Sequence, residues 1–190
     1  MKRFNKVNTI LGWLIFLVGL YTYAMTLEKS GSFWDCGEFS SCAYRLQVAH
    51  PPGAPLFVLL GRIFSMFATN VDSSQGVWNV TTAINMLSGV ASALNVMFVF
   101  WIITHLARKV VKPETDGEYT TGNLLAIMGA GAVGALAMCW SDTFWFSAVE
   151  AEVYASSSFF TFLVFWAILK WENVADEKGS DRWIILIGYF

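Results

Sequence analysis

The stretch "AINMLSGVASALNVMFVFWIITHL", residues 83–106, decides the fold. It holds no Asp, Glu, Lys or Arg and lies inside a charge-free run from Ser73 to Ala107. Crossing the hydrocarbon core takes roughly 17–25 predominantly apolar residues as a helix. In lipid the backbone must bond within its own segment, which favours a helix over an isolated strand. Three more charge-free runs, Val7 to Leu27, Tyr119 to Ser141 and Val153 to Leu169, read the same way. The predicted spans are residues 9–25, 77–106, 123–140 and 154–171, giving an all-α, multi-pass transmembrane protein. Composition agrees: of 190 residues, 56% are hydrophobic and 14% charged, and mean hydropathy is +0.53. Soluble domains carry about 25% charged residues. The closing "RWIILIGYF" is too short to span, so a fifth membrane helix cut midway, from residue 183, is expected. The chain then reads as a single transmembrane domain at the N-terminus of a longer protein.

The net charge of −2 is unevenly distributed. Lys2, Arg3 and Lys6 precede the first span; Arg108, Lys109 and Lys112 follow the second; Lys170, Lys178 and Arg182 follow the fourth. Basic residues favour the cytoplasmic side, which places the N-terminus in the cytoplasm and the loops 26–76 and 141–153 outside. The rival reading of the start is a cleaved signal peptide with small residues near Ala24; it leaves the downstream topology unchanged. Three cysteines are too few for a disulfide framework. On a helix, Cys36 and Cys42 point about 240° apart, so no intrachain pair is expected.

The first outward loop is long for a connection, and such loops usually have structure and often a task. Within it, "SFWDCGEFSSCAYRLQVAH" (residues 32–50) reads as one helix with Phe39, Ala43, Leu46 and His50 on one face. "HPPGAP" must break it, because proline restricts the residue before it and lacks an amide donor. "LFVLLGRIFSMFA" then reads as a short helix at the membrane interface. In the third span, Gly129, Ala130, Gly131, Gly134 and Ala135 form a small-residue face for a neighbouring helix.

Both outward loops are acidic. Asp35 suits a capping box begun by Ser32, and Glu38 shares its helical face. Two carboxylates so placed repel, and one could have an altered pKa. Helix-start device and functional pair both remain open. Glu150, Glu152 and Tyr154 align on one side if that loop is extended, or the acids simply suit a helix start. His50 is a proton carrier or a helix-ending residue. Arg45 and Arg62 could grip a phosphate or lipid headgroups. The surrounding Trp34, Phe39, Trp140, Phe144, Trp145 and Phe146 fit an interfacial belt or a ligand lining. Asn79 opens a formal glycosylation sequon at a membrane boundary.

"FWDCGEF…AYRLQVAHPPGAPLFVLLGRIFSMF", "WNVTTAINMLSGVASALNVMFVFWIITHL" and "FWFSAVEAEVYASSSFFTFLVFWAILKWE" together resemble a family of large bacterial membrane proteins of unassigned function. Their eukaryotic relatives are transmembrane O-mannosyltransferases acting on the immunoglobulin-like folds of plexins and related receptors. More distantly, the layout is similar to that of GT-C glycosyltransferases. The resemblance implies a GT-C-like N-terminal portion, a polyprenyl-phosphate-linked sugar donor and a protein or glycan hydroxyl acceptor. It implies inverting displacement with an acid of the first loop as general base: Asp35 is the candidate, with Glu38 sharing the proton or orienting the acceptor. Cys36 and Gly37 separate these two, where many relatives have an adjacent Asp-Glu pair. Arg45 becomes a partner for the departing phosphate. His50, Glu150, Glu152 and Tyr154 become binding residues for the sugar or acceptor. The resemblance implies no metal, no other cofactor and a bacterial inner membrane location; no nucleic-acid partner is expected. The competing classes are a transporter or flippase of lipid-linked glycans, with ionisable residues deep in its spans, and a non-catalytic scaffold.

Overall fold

The structure is a computed structural model describing residues 2–51, 53–71, 78–114 and 117–190. The second proline of the "HPPGAP" break and the predicted start of the second span at residue 77 lie outside the described residues. The protein is all-α and multi-pass. Four helices are long and apolar enough to cross a membrane: α1 (Lys2–Thr26), α4 (Val80–Val110), α5 (Thr121–Cys139) and α7 (Val153–Glu172). Between them run α2 (Cys36–Arg45), α3 (Pro55–Ser65) and the short α6 (Asp142–Ala148); α8 (Asp181–Tyr189) follows α7.

α4 is the hub, with α1, α5 and α7 all packed against it. Its apolar window is 67% buried, against 22%, 33% and 17% for α1, α5 and α7, whose outer faces are left for lipid. The small-residue face of α5 is split. Gly131 sits against Thr104 and Phe100 of α4, Gly134 against Ile103, and Ala135 is buried. Gly129 faces open space and Ala130 is exposed. Tyr23 of α1 is wholly buried here and donates to the Cys139 carbonyl at 2.9 Å.

Two caps fix where spans begin. Asn79 accepts from the Thr82 amide at 3.0 Å and Thr120 from the Asn123 amide at 3.1 Å, each satisfying an amide that the helix start leaves unbonded. Asn79 also donates to the Lys29 carbonyl at 2.8 Å, and Asn85 to the Glu28 carbonyl at 2.8 Å. Asn79 is therefore buried and doubly bonded, which removes it as a glycosylation acceptor.

The expected single helix over residues 32–50 does not form. Its core, α2, ends at Arg45 because Leu46 takes the left-handed conformation (φ 53°) and Gln47 N–H bonds back to the Cys42 carbonyl at 2.9 Å. This is the usual glycine-type helix stop, here made with leucine. α2 buries Cys36, Phe39, Cys42 and Ala43 against Phe57 and Val58 of α3 and Ile84 and Leu87 of α4. Cys36, Cys42 and Cys139 are all free and buried. Arg62 ties α3 to α2: it donates to the Tyr44 carbonyl at 2.9 Å and lies over the Tyr44 ring at 5.3 Å. It is thus engaged by protein rather than open to a phosphate.

Candidate active site

The end of the bundle where α1 stops and α4 starts carries the acidic residues. Two loops meet there. The Glu28 amide donates to the Val149 carbonyl at 3.1 Å. The Ser32 hydroxyl bonds the Glu150 carboxylate, and Glu152 accepts from the Asp35 amide. Ser32 therefore does not open a capping box; Asp35 itself stands at the helix N-cap, its side chain free of any cap bond.

Glu150 and Glu152 are only 2% and 5% exposed. Burial raises both carboxyls above the usual range, with Glu28 adding to Glu150, and Glu150 and Asp35 adding to Glu152. They brace the loop from behind rather than opening to solvent. Tyr154 does not align with them, because α7 has already begun at Val153. It is 65% exposed and borders a separate cavity of about 280 Å³ with Ser92, Ser141, Phe144 and Ser158.

In front of the brace stand Asp35, Glu38 and His50, all exposed. Glu38 Oε1 accepts from the His50 amide at 2.7 Å, and its Oε2 meets ring Nδ1 at 3.1 Å. The His50 amide, then the ring, hold the Glu38 carboxyl below the usual range. His50 Nε2 faces Asp35 Oδ2 at 3.8 Å. One donor atom from each residue falls within 4.8 Å of the others, close enough for a cation to reach all three. Both Glu38 oxygens are already bonded to His50, so the group is hydrogen-bonded as it stands.

Sequence reasoning paired Asp35 with Glu38 but placed His50 at the end of a longer helix. The chain reversal at Leu46 brings it back instead, and no local pattern announces a leucine in that conformation. Arg45 is exposed in the last turn of α2. At 1.5 Å per residue it lies roughly 15 Å along the helix from Asp35. Trp34, beside Asp35, is 85% exposed at φ 61°, a conformation rare for a bulky residue. Cys36 is no nucleophile here: burial pushes its thiol up, away from the reactive thiolate.

An apolar cavity of about 350 Å³ opens between α3, α4 and α7, lined by residues including Pro55, Phe57, Leu87, Leu94 and Phe160. Its wall connects to the polar group through a chain of ring contacts: Phe57 meets Phe39 edge-on at 5.4 Å, and Phe39 lies tilted against His50 at 5.8 Å. The apolar cavity and the exposed polar group thus lie on adjoining surfaces.

Residues 35–190 match the sequence profile of the family described as "Protein O-mannosyl-transferase TMEM260 N-terminal domain". The chain is similar to the Protein O-mannosyl-transferase tmem260 of Dictyostelium discoideum, 26% identical over 148 residues, covering 77% of this chain and 15% of the relative. It is also similar to the Protein O-mannosyl-transferase TMEM260 of Mus musculus, 27% identical over 169 residues, covering 88% of this chain and 20% of the relative. The chain thus spans a fifth or less of the length of these two curated relatives. No solved structure matches.

Proposed function

Because the chain belongs to the family of the TMEM260 protein O-mannosyl-transferase N-terminal domain, we propose that it carries the base and part of the donor site of a membrane glycosyltransferase. The donor is a sugar on a polyprenyl phosphate, and the acceptor is a protein hydroxyl. The observation that carries this reading is the return of the chain after Leu46, which sets His50 against Asp35 and Glu38 beside an apolar cavity.

The chemistry suits those parts. A phosphate-linked sugar already has a good leaving group, so no protein acid is needed to expel it. What the reaction requires is a base that takes the acceptor proton as the oxygen attacks, worth about 10²–10⁴ in rate. The polar group supplies it. The polyprenyl tail takes the apolar cavity, and the anomeric carbon inverts in a direct displacement. Arg45, at the far end of α2, meets the phosphate only if the lipid lies along that helix. Glu150 and Glu152 position the loop. The GT-C layout, a cytoplasmic N-terminus and a bacterial inner membrane setting complete the proposal. A transporter reading needs ionisable groups deep in the spans. α1, α4 and α5 contain no Asp or Glu, α7 only the terminal Glu172, and the buried His105 and the exposed Lys170 lie in the last two turns of α4 and α7.

The test is transfer from labelled polyprenyl-phosphate mannose to a purified immunoglobulin-like domain, using the full-length protein in liposomes. Wild type should transfer label. The triple variant Asp35→Asn, Glu38→Gln, His50→Asn should lose transfer while keeping its thermal melt. Near-normal turnover in the triple variant would remove this group from the chemistry.

A further inference from the structure

We infer that the proton is taken by Nε2 of His50, with Glu38 fixing its tautomer and Asp35 stabilising the imidazolium. The inference rests on the transferase reading above and names the atom within its base.

Glu38 is the starting point. An ionised carboxylate only accepts hydrogen bonds, so the Nδ1 that meets Glu38 Oε2 at 3.1 Å must carry a hydrogen. In the neutral ring Nε2 is then a bare lone pair. The second Glu38 oxygen accepts from the His50 backbone amide at 2.7 Å, so one side chain holds both the ring and the backbone of His50. The Phe39 ring lies 5.8 Å from the imidazole on the side of the buried core. This is the carboxylate–imidazole–hydroxyl order of a serine hydrolase, with the hydroxyl belonging to the acceptor instead of the enzyme.

Asp35 completes the seat. Its Oδ2 stands 3.8 Å from Nε2, too far for a direct hydrogen bond. An oxygen placed off that line, about 2.8 Å from Nε2, enters the gap and donates to the ring. As the acceptor oxygen bonds to the anomeric carbon, the bond from that carbon to the phosphate oxygen breaks. Polyprenyl phosphate leaves with the electron pair, and the hydroxyl proton passes to Nε2. The charged groups facing the imidazolium are Asp35 and Glu38 from the α2 start, with Glu152 behind Asp35. Among the described residues no Lys or Arg forms an ion pair with them.

The experiment compares His50→Asn, Asp35→Asn and Glu38→Ala in the full-length protein across pH. Asn at position 50 can still donate to Glu38 but offers no base. His50→Asn should lower kcat about 10²–10⁴-fold with little change in KM. Glu38→Ala and Asp35→Asn should keep a larger share of the rate and displace the acid limb of the pH profile. Free imidazole should restore part of the rate to a His50→Gly variant. The ring nitrogen shifts of labelled histidine should show an Nδ1–H tautomer for His50 that Glu38→Ala abolishes; the His50 signal is assigned by its absence from the spectrum of His50→Asn. If His50→Asn turns over like wild type while Asp35→Asn is inactive, Asp35 is the base and the inference is wrong. Activity lost to a chelator and restored by Mn²⁺ would likewise overturn it, making the group a cation site. A wild type that transfers nothing sinks the transferase reading itself, whatever the tautomer.

Discussion

Glu150 and Glu152 are buried carboxyls whose protonation the fold favours. A group with a raised folded pKa contributes its stability fully below the unfolded value and loses it as pH rises through the folded one. Glu152→Gln should therefore melt above wild type at about pH 7 and show a flatter fall in melting temperature from acid to neutral. Gln keeps a carbonyl to accept the Asp35 amide, so the loop contact survives. Glu38 has the opposite sign: its folded pKa is depressed by the His50 amide and ring. Its contribution is present above the unfolded pKa and fades as pH falls through the folded one, so Glu38→Gln should destabilise at neutral pH and match wild type in acid. Thermal melts in detergent over about pH 4–8 check both; parallel slopes for all three proteins would refute the assignment. At this scale the sequence was half legible. The three-residue spacing of Asp35 and Glu38 put them on one face, as found. Nothing in the local pattern placed Ser32 on Glu150, or His50 on Glu38, because both contacts depend on where distant chain segments return.

Helix interfaces give a sharper contrast. A side-chain carbon added at Gly131 would lie 2.6 Å from a methyl carbon of Thr104 and 2.9 Å from the Phe100 ring. Overpacking of this kind costs about 1–3 kcal/mol. The same carbon at Gly129 meets nothing within 4 Å. Alanine there gains helix propensity, up to about 1 kcal/mol. Gly131→Ala should lower the melting temperature of the full-length protein and Gly129→Ala should leave it unchanged or raise it; equal effects would mean α5 packs by another face. The long spans were legible because apolar run length is a local property, and the observed helices overlap all four predicted ones. The small-residue face was legible as a face, but which half of it meets α4 was not. The helical region of the first loop was only partly legible. Its apolar periodicity located α2, while the stop at Leu46 came from a backbone state that leucine seldom takes. α6, seven residues between α5 and α7, falls inside the predicted loop 141–153, because its aromatic run has no clear helical stripe.

The whole molecule is electrically polarised. One end holds Arg3, which donates to Thr121 at 3.4 Å, Arg108, which donates to Asn173 at 2.6 Å, and Lys109, paired with Glu172. The other end holds Asp35, Glu38, Glu150 and Glu152. Short basic loops are retained in the cytoplasm during insertion, so this polarity predicts the orientation. The acidic end should therefore face away from the cytoplasm. The three cysteines among these 190 residues are buried, so they add little labelling, and the full-length protein without an added cysteine supplies the background. Ser41 is exposed on α2 and Asp176 is exposed beyond α7, at opposite ends of the bundle. In cells expressing the full-length protein, a membrane-impermeant maleimide should label Ser41→Cys directly and Asp176→Cys only after permeabilisation. The reverse pattern would turn the loop face toward the cytoplasm, and acceptors crossing the membrane would then be out of its reach.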